Sequence, residues 1–248
     1  MGSIYILWWR ELKKYSRSRT QIVASLAQPL LYLRALGFGL GPVFRRAGGG
    51  SYVQFVSPGI IAMAILFASI FSGISLLWDR QFGFLKETLI APVPRSRIVI
   101  GRTLGGATVA MIQGTLMTIV CLVAGFRPTA IISLPLVVLF MLLMAVVFVA
   151  LGVIIGSSLQ DVQGVQLMMS FLVTPLFFLS GALFPLDQLP SALTVLTTID
   201  PVSYGVDGLR AALIGPTKFG ITRDLSVLAF MALATLSLGA WRFSRMEV

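Results

Sequence analysis

Acid–base, nucleophilic and metal chemistry each need particular side chains held close together, and this sequence is poor in all of them. Its 248 residues include nine Asp and Glu, a single cysteine, Cys121, and no histidine. One cysteine without histidine excludes an intrachain disulfide framework and a Cys/His zinc site. Within the apolar runs no nucleophile stands with a base and no carboxylate cluster forms, so an intramembrane enzyme finds no machinery here. None of Lys13, Lys14, Lys86 and Lys218 follows a glycine, so the GK[ST] loop that cradles nucleotide phosphates is absent. Catalytic residues, a metal site and a cofactor are therefore not expected, and neither is ATP binding by this chain itself.

What the sequence offers in their place is charge set between apolar runs. Hydrophobic residues make up 57% and charged ones only 11%, with a mean hydropathy of +0.94, which is the balance of a membrane protein. The net charge of +10 would suggest nucleic acid in a soluble domain. Here the basic residues lie at the ends of apolar runs, where anionic lipid is the partner to expect.

Arg10, Lys13, Lys14, Arg17 and Arg19 precede an apolar run that begins at Ile22. That run is too long for a signal peptide and lacks a small-residue cleavage pattern, so these residues are expected to remain in the mature protein. On a helix, Ile4, Trp8 and Leu12 align with Leu7 and Tyr15 beside them, while the basic residues take much of the rest. Such a helix lies in the membrane interface, or serves only as a polybasic topogenic signal.

About 20 apolar residues cross a bilayer core. Six runs qualify, at 22–44, 54–78, 104–126, 131–156, 164–184 and 225–242, so the expected fold is an all-α membrane protein of six transmembrane helices. The whole chain, 1–248, reads as one transmembrane domain: an interface helix at 1–21, a loop at 79–103 and a longer loop at 185–224. Basic residues favour the cytoplasmic side. The N-terminal arm with Arg80, Lys86, Arg95, Arg97, Arg102, Arg242 and Arg245 makes twelve, against six for Arg45, Arg46, Arg127, Arg210, Lys218 and Arg223. Both termini and the 79–103 loop are therefore expected in the cytoplasm, although Arg45 and Arg46 sit against the rule.

In that loop Phe82, Phe84, Leu85, Leu89 and Ile90 mix with Lys86, Glu87 and Thr88, and Pro92 and Pro94 stop a helix from continuing. The pattern predicts a short amphipathic helix at 81–91. Its aromatics suit either a cytoplasmic partner or the lipid headgroups.

Two stretches carry a resemblance. In "WDRQFGFLKETLIAPVPRSRIVIGRTLG", Asp79, Arg80, Gly83, Leu85, Leu89, Pro92, Arg95 and Gly101-Arg102 resemble the segment after the second span of ABC type-2 permeases. In "FLSGALFPLDQLPSALTVLTTIDPVSYGVDGLRAAL", Ser180-Gly181, Phe184-Pro185, Leu189-Pro190, Pro201, Tyr204 and Leu209-Arg210 resemble the signature between that family's fifth and sixth spans. The likeness covers essentially the whole chain and is nearest to the drug-resistance and nodulation-factor permeases.

The resemblance implies the transport subunit of an ATP-driven exporter in a prokaryotic plasma (inner) membrane. Two permease copies, as a homodimer, would pair above two separate cytoplasmic ATPase subunits that carry the ATP and magnesium. The 81–91 segment would be the coupling helix, with Phe82, Phe84, Leu85, Lys86 and Glu87 docking on the ATPase and Arg10, Glu11 and Lys14 supporting them. ATP binding would tilt the spans and open a central cavity outward to release a hydrophobic or amphipathic substrate such as a drug, a lipid or a lipid-linked glycan.

The outer loop is also readable on its own terms. Pro185, Pro190 and Pro201 divide it, 191–199 is apolar enough to dip into the membrane, and 203–214 can form a helix on which Asp207 and Arg210 are spaced to pair. The resemblance makes these pieces re-entrant helices capping the exit, with Gly181, Pro185, Pro190, Pro201, Tyr204 and Arg210 as the gate. Pro29 and Pro175 should kink their spans. Among intramembrane polar residues, Gln28, Arg34, Gln113, Gln163, Gln166, Ser170 and Thr174 either line a pathway or bond helix to helix, and Arg34 is within snorkelling reach of the headgroups.

Two other classes compete. A proton-driven secondary transporter would show acidic residues or histidines inside spans; the nearest is Asp161, at the junction of the fourth and fifth. A channel-like subunit without an ATPase partner is the second.

Overall fold

A computed structural model describes residues 2–46, 51–84, 93–129, 134–159, 161–186 and 190–245. Among these the chain is helical, with no strand. The helices are α1 (Gly2–Arg17), α2 (Arg19–Gly39), α3 (Gly41–Arg46), α4 (Tyr52–Gln81), α5 (Arg95–Val123), α6 (Leu134–Ser158), α7 (Val162–Met168), α8 (Thr174–Leu179), α9 (Ser191–Ile199), α10 (Pro201–Ile214) and α11 (Ile221–Ser244). A π-helical turn, Met169–Val173, joins α7 to α8.

Four of the described helices, α4, α5, α6 and α11, are long and apolar enough to cross a membrane. At about 1.5 Å per residue, even the 24 residues of α11 exceed a hydrocarbon core of about 30 Å. They match the second, third, fourth and sixth expected runs. The first run is divided between α2 and α3, and the fifth is the interrupted helix of α7, the π turn and α8. Pro175 opens α8 directly after that turn, where its missing N–H and its ring are accommodated by the wider helix.

One boundary corrects the sequence reading. Helix α5 begins at Arg95, nine residues before the expected 104, so Arg95, Arg97 and Arg102 ride on a helix rather than in a loop. Pro94 stands as its N-cap. Arg95 Nη1 donates to Ser244 O at 2.6 Å, tying the start of α5 to the last carbonyls of α11.

Helix α4 is the axis of the bundle, packing on α6, α5, α2 and α10. Its Ile60, Ile61, Ile65, Leu66, Ile70 and Ile74 are buried, against Phe140 and Phe148 of α6 and Leu228 of α11. In a bilayer lipid tails are as apolar as leucine, so helix pairing there depends on close packing and polar contacts. Small residues supply the first: Gly73 on α4 and Gly152 on α6 leave no room for a side chain where the two helices cross. Gly205 and Gly208 likewise let α10 press on Met144 and Phe140 of α6.

Candidate functional site

The end of α4, the start of α5 and α1 come together at one end of the bundle. Helix α1 lies along α5, and the fit depends on two glycines: a Cβ on Gly101 would meet Leu7 Cβ at 3.0 Å, and one on Gly105 would meet Glu11 Cβ at 2.7 Å. Trp8 Nε1 donates to Thr108 Oγ1 at 3.0 Å. Gln113 Nε2 donates to Tyr15 Oη and to Ser25 Oγ, both at 2.6 Å, joining α5 to α1 and α2.

At the centre is Asp79, the last acid of α4, buried and paired with the buried guanidinium of Arg102. Arg10 Nη2 lies 3.3 Å and Lys14 Nζ 3.9 Å from the same carboxylate. Three cations on two helices thus converge on one carboxylate at the end of a third, α1 supplying two of them and α5 the other. Burial lowers the Lys14 pKa, offset in part by the nearby Glu11 charge, and burial raises that of Tyr15. Of the residues chosen from the sequence, Arg10 and Lys14 take part directly, while Glu11 is buried against Gly105. Sequence reasoning passed over Asp79 and Arg102 as site residues, although both stand in the motif that carries the resemblance.

Helix α4 ends at Gln81, and Gly83, at φ +80°, turns the chain away with Phe82 and Phe84 exposed on either side of it. Leu85, Lys86 and Glu87 lie outside the described residues, as does the rest of the expected helix to 91.

The second group closes the other end. Gly181, at φ +73°, holds its carbonyl toward Arg210, whose Nη2 donates to it at 2.9 Å while the guanidinium lies 4.4 Å from the ring centre of Phe55 on α4. Tyr52 Oη donates to Leu183 O at 2.7 Å. Asp207 and Arg210, expected to pair, point to different partners: Asp207 accepts from Thr217 Oγ1 and from the backbone N–H groups of Lys218 and Phe219 at 2.8–3.0 Å. Pro190 and Pro201 start α9 and α10, and Tyr204 Oη donates to Thr198 O at 2.6 Å across that corner. Asp200 caps α10, accepting from Val202 N at 2.9 Å and Ser203 Oγ at 3.1 Å; burial still pushes its carboxyl up to about 7. Pro185, Arg210 and Asp207 line a cavity of about 450 Å³ between these pieces and α4.

The remaining polar candidates are dispersed. Arg34 is exposed on α2, Gln28 of the same helix lines a cavity with Gln113, Gln166 and Ser170 are exposed on the interrupted helix, and Thr174 donates to Met169 O at 3.0 Å across the π turn.

Four long apolar helices, with charge confined to their ends, define a multi-span integral membrane protein. The family model described as ABC-2 type transporter matches residues 2–214, and the chain belongs to that family. It is similar to Nodulation protein J of Rhizobium meliloti (strain 1021), 31% identical over 212 residues that cover 84% of this chain and 80% of that one. It is also similar to the inner membrane transport permease YadH of Escherichia coli (strain K12), 28% identical over 92% of this chain and 89% of that one. Nodulation protein J of Rhizobium leguminosarum bv. viciae is 28% identical over 90% of this chain and 86% of its own.

Proposed function

We propose that the chain is the membrane-spanning permease subunit of an ATP-driven exporter in the inner membrane, moving a hydrophobic or amphipathic substrate such as a drug, a lipid or a lipid-linked glycan by alternating access. Two copies pair, and two separate ATPase subunits, which hold the ATP and magnesium, dock from the cytoplasm, where both termini lie. The single domain of 1–248 crosses the membrane six times: through the four long helices, through α2, and through the interrupted helix of α7 and α8. The short helices α9 and α10 act as re-entrant pieces over the exit. At 14 residues, about 21 Å, α10 is too short to cross by itself.

The observation that carries this reading is the Asp79 cluster. It bolts α1 to the ends of α4 and α5, the two helices that the 82–94 connection joins. A push on that connection, where Phe82 and Phe84 are exposed, is delivered to α1, α4 and α5 as one body rather than lost in a flexible loop. Within it Phe82, Phe84, Leu85, Lys86 and Glu87 contact the ATPase, with Arg10 and Lys14 beside them and Glu11 fixing α1 from the buried side.

The test is co-purification of the permease with a candidate ABC ATPase subunit, comparing wild type with Phe84→Asp and measuring ATP-dependent transport in proteoliposomes. Loss of both binding and transport in a variant that still inserts and unfolds like wild type is the expected result. Wild-type binding and transport by Phe84→Asp would overturn the docking role.

A further inference from the structure

A second cavity, of about 520 Å³, opens between α1, α2, α4 and α5 beside the Asp79 cluster. Its volume falls within the roughly 300–1,000 Å³ of small-molecule sites. Lys14 and Glu11 line one end, level with Trp78; Phe71 and Phe67 of α4 line the other. From Trp78 to Phe67 is eleven residues of helix, about 16 Å, so the space is long and graded from charged to apolar.

The charged end is not neutral. Arg10, Lys14 and Arg102 face Asp79 and Glu11, leaving one positive charge in surplus. Lys14 is the most loosely held, 3.9 Å from Asp79 and with its side chain 47% exposed, and it is the cation that lines the cavity. Toward the Phe67 end, Gln113 is 1% exposed; its Nε2 is taken by Tyr15 and Ser25, and its Oε1 is buried without a partner among the described residues. On its outer face α1 exposes Tyr5, Ile6 and Trp9, an apolar surface suited to lying in lipid.

We infer that this cavity holds one anionic phospholipid of the leaflet that α1 lies against, its phosphate at Lys14 and an acyl chain along Phe71 and Phe67. Basic pockets between spans select anionic headgroups in this way. The lipid would fill the gap between α1 and α4, so that α1 follows the bundle through a conserved volume rather than through empty space. The inference does not depend on an ATPase partner.

Native mass spectrometry of the purified full chain, incubated in detergent with equal amounts of phosphatidylglycerol and phosphatidylcholine of the same acyl chains, tests it. Wild type should retain one phosphatidylglycerol and little phosphatidylcholine. Lys14→Gln should retain about fivefold less, the worth of one lysine beside an anionic group. Lys13→Gln, which alters an exposed neighbour outside the cavity, should behave as wild type. Ala68→Trp, which fills the cavity from α4, should abolish retention. Equal retention of the two lipids, equal losses in Lys13→Gln and Lys14→Gln, or retention by a folded Ala68→Trp would each overturn the inference. If Ala68→Trp fails to fold, the two lysine variants decide alone.

Discussion

Gly73 of α4 and Gly152 of α6 meet backbone to backbone: a Cβ on Gly152 would stand 2.9 Å from Gly73 Cα and 2.5 Å from Ile70 O. The obstacle is main chain, which cannot turn aside as a side chain would. Gly73→Val should therefore cost at or above the roughly 1–3 kcal/mol of ordinary overpacking. Gly239→Ala on α11, where the nearest atom is 3.6 Å away, should be neutral or stabilising, because alanine favours the helix by about 1 kcal/mol. Thermal unfolding in detergent separates the two.

Removing one member of the buried Asp79–Arg102 pair should cost far more than removing an outer one. Asp79→Asn leaves the Arg102 guanidinium buried without a counter-charge, a loss of roughly 3–5 kcal/mol. The double variant Asp79→Leu with Arg102→Met should recover most of it. Arg10→Gln removes a cation that is 38% exposed and should cost at most about 1 kcal/mol. Equal losses from Asp79→Asn and Arg10→Gln in chemical unfolding would contradict this ordering.

Stability should fall as pH rises through the range below neutrality, on account of Asp200. Its folded pKa of about 7 lies above the ordinary 3.8, so between these values the folded state holds a proton that the unfolded state has released. The contribution is present below about 4 and is lost toward 7, with a slope of at most about 1.4 kcal/mol per pH unit. Asp200→Asn keeps an acceptor for the α10 cap and should lessen the fall of the unfolding midpoint between pH 4 and pH 7.

At the opposite end, Arg210 joins Phe55 of α4 to the Gly181 carbonyl, and lysine would keep the charge but lose the planar stack and fork. Arg210→Lys and Phe55→Leu should each lower stability by roughly 0.5–2 kcal/mol, and the double variant by less than the two together. Strict additivity would show that the stacking carries nothing.

The long helices were legible because each presents an uninterrupted apolar run, a signal that needs no tertiary information. The start of α5 was not. Arg95, Arg97 and Arg102 look like loop in a chain whose other charges end its runs, and the carboxylate that lets Arg102 ride on a buried helix stands 23 residues earlier, on the far side of two prolines. The Tyr15–Gln113 bond spans 98 residues, so Gln113 was visible only as a polar residue in an apolar run, without its partner. The outer helices were found because prolines mark their starts. The partners of Asp207 and Arg210 were missed, since helical spacing brings the two within reach of each other but cannot show which carbonyl or N–H each will prefer.

The π turn at Met169–Val173 changes how the interrupted helix must be counted. In a plain α-helix, Val165 and Val173, eight residues apart, would point about 80° away from each other. A turn that absorbs one extra residue brings them back to within about 20°, and both are buried, as is Phe177 four residues further on. The seam along this helix is thus kept in phase by the number of residues in the turn rather than by their kinds. Substitutions there should pass with small effects, whereas deleting one residue would swing everything after it to a different side of the helix.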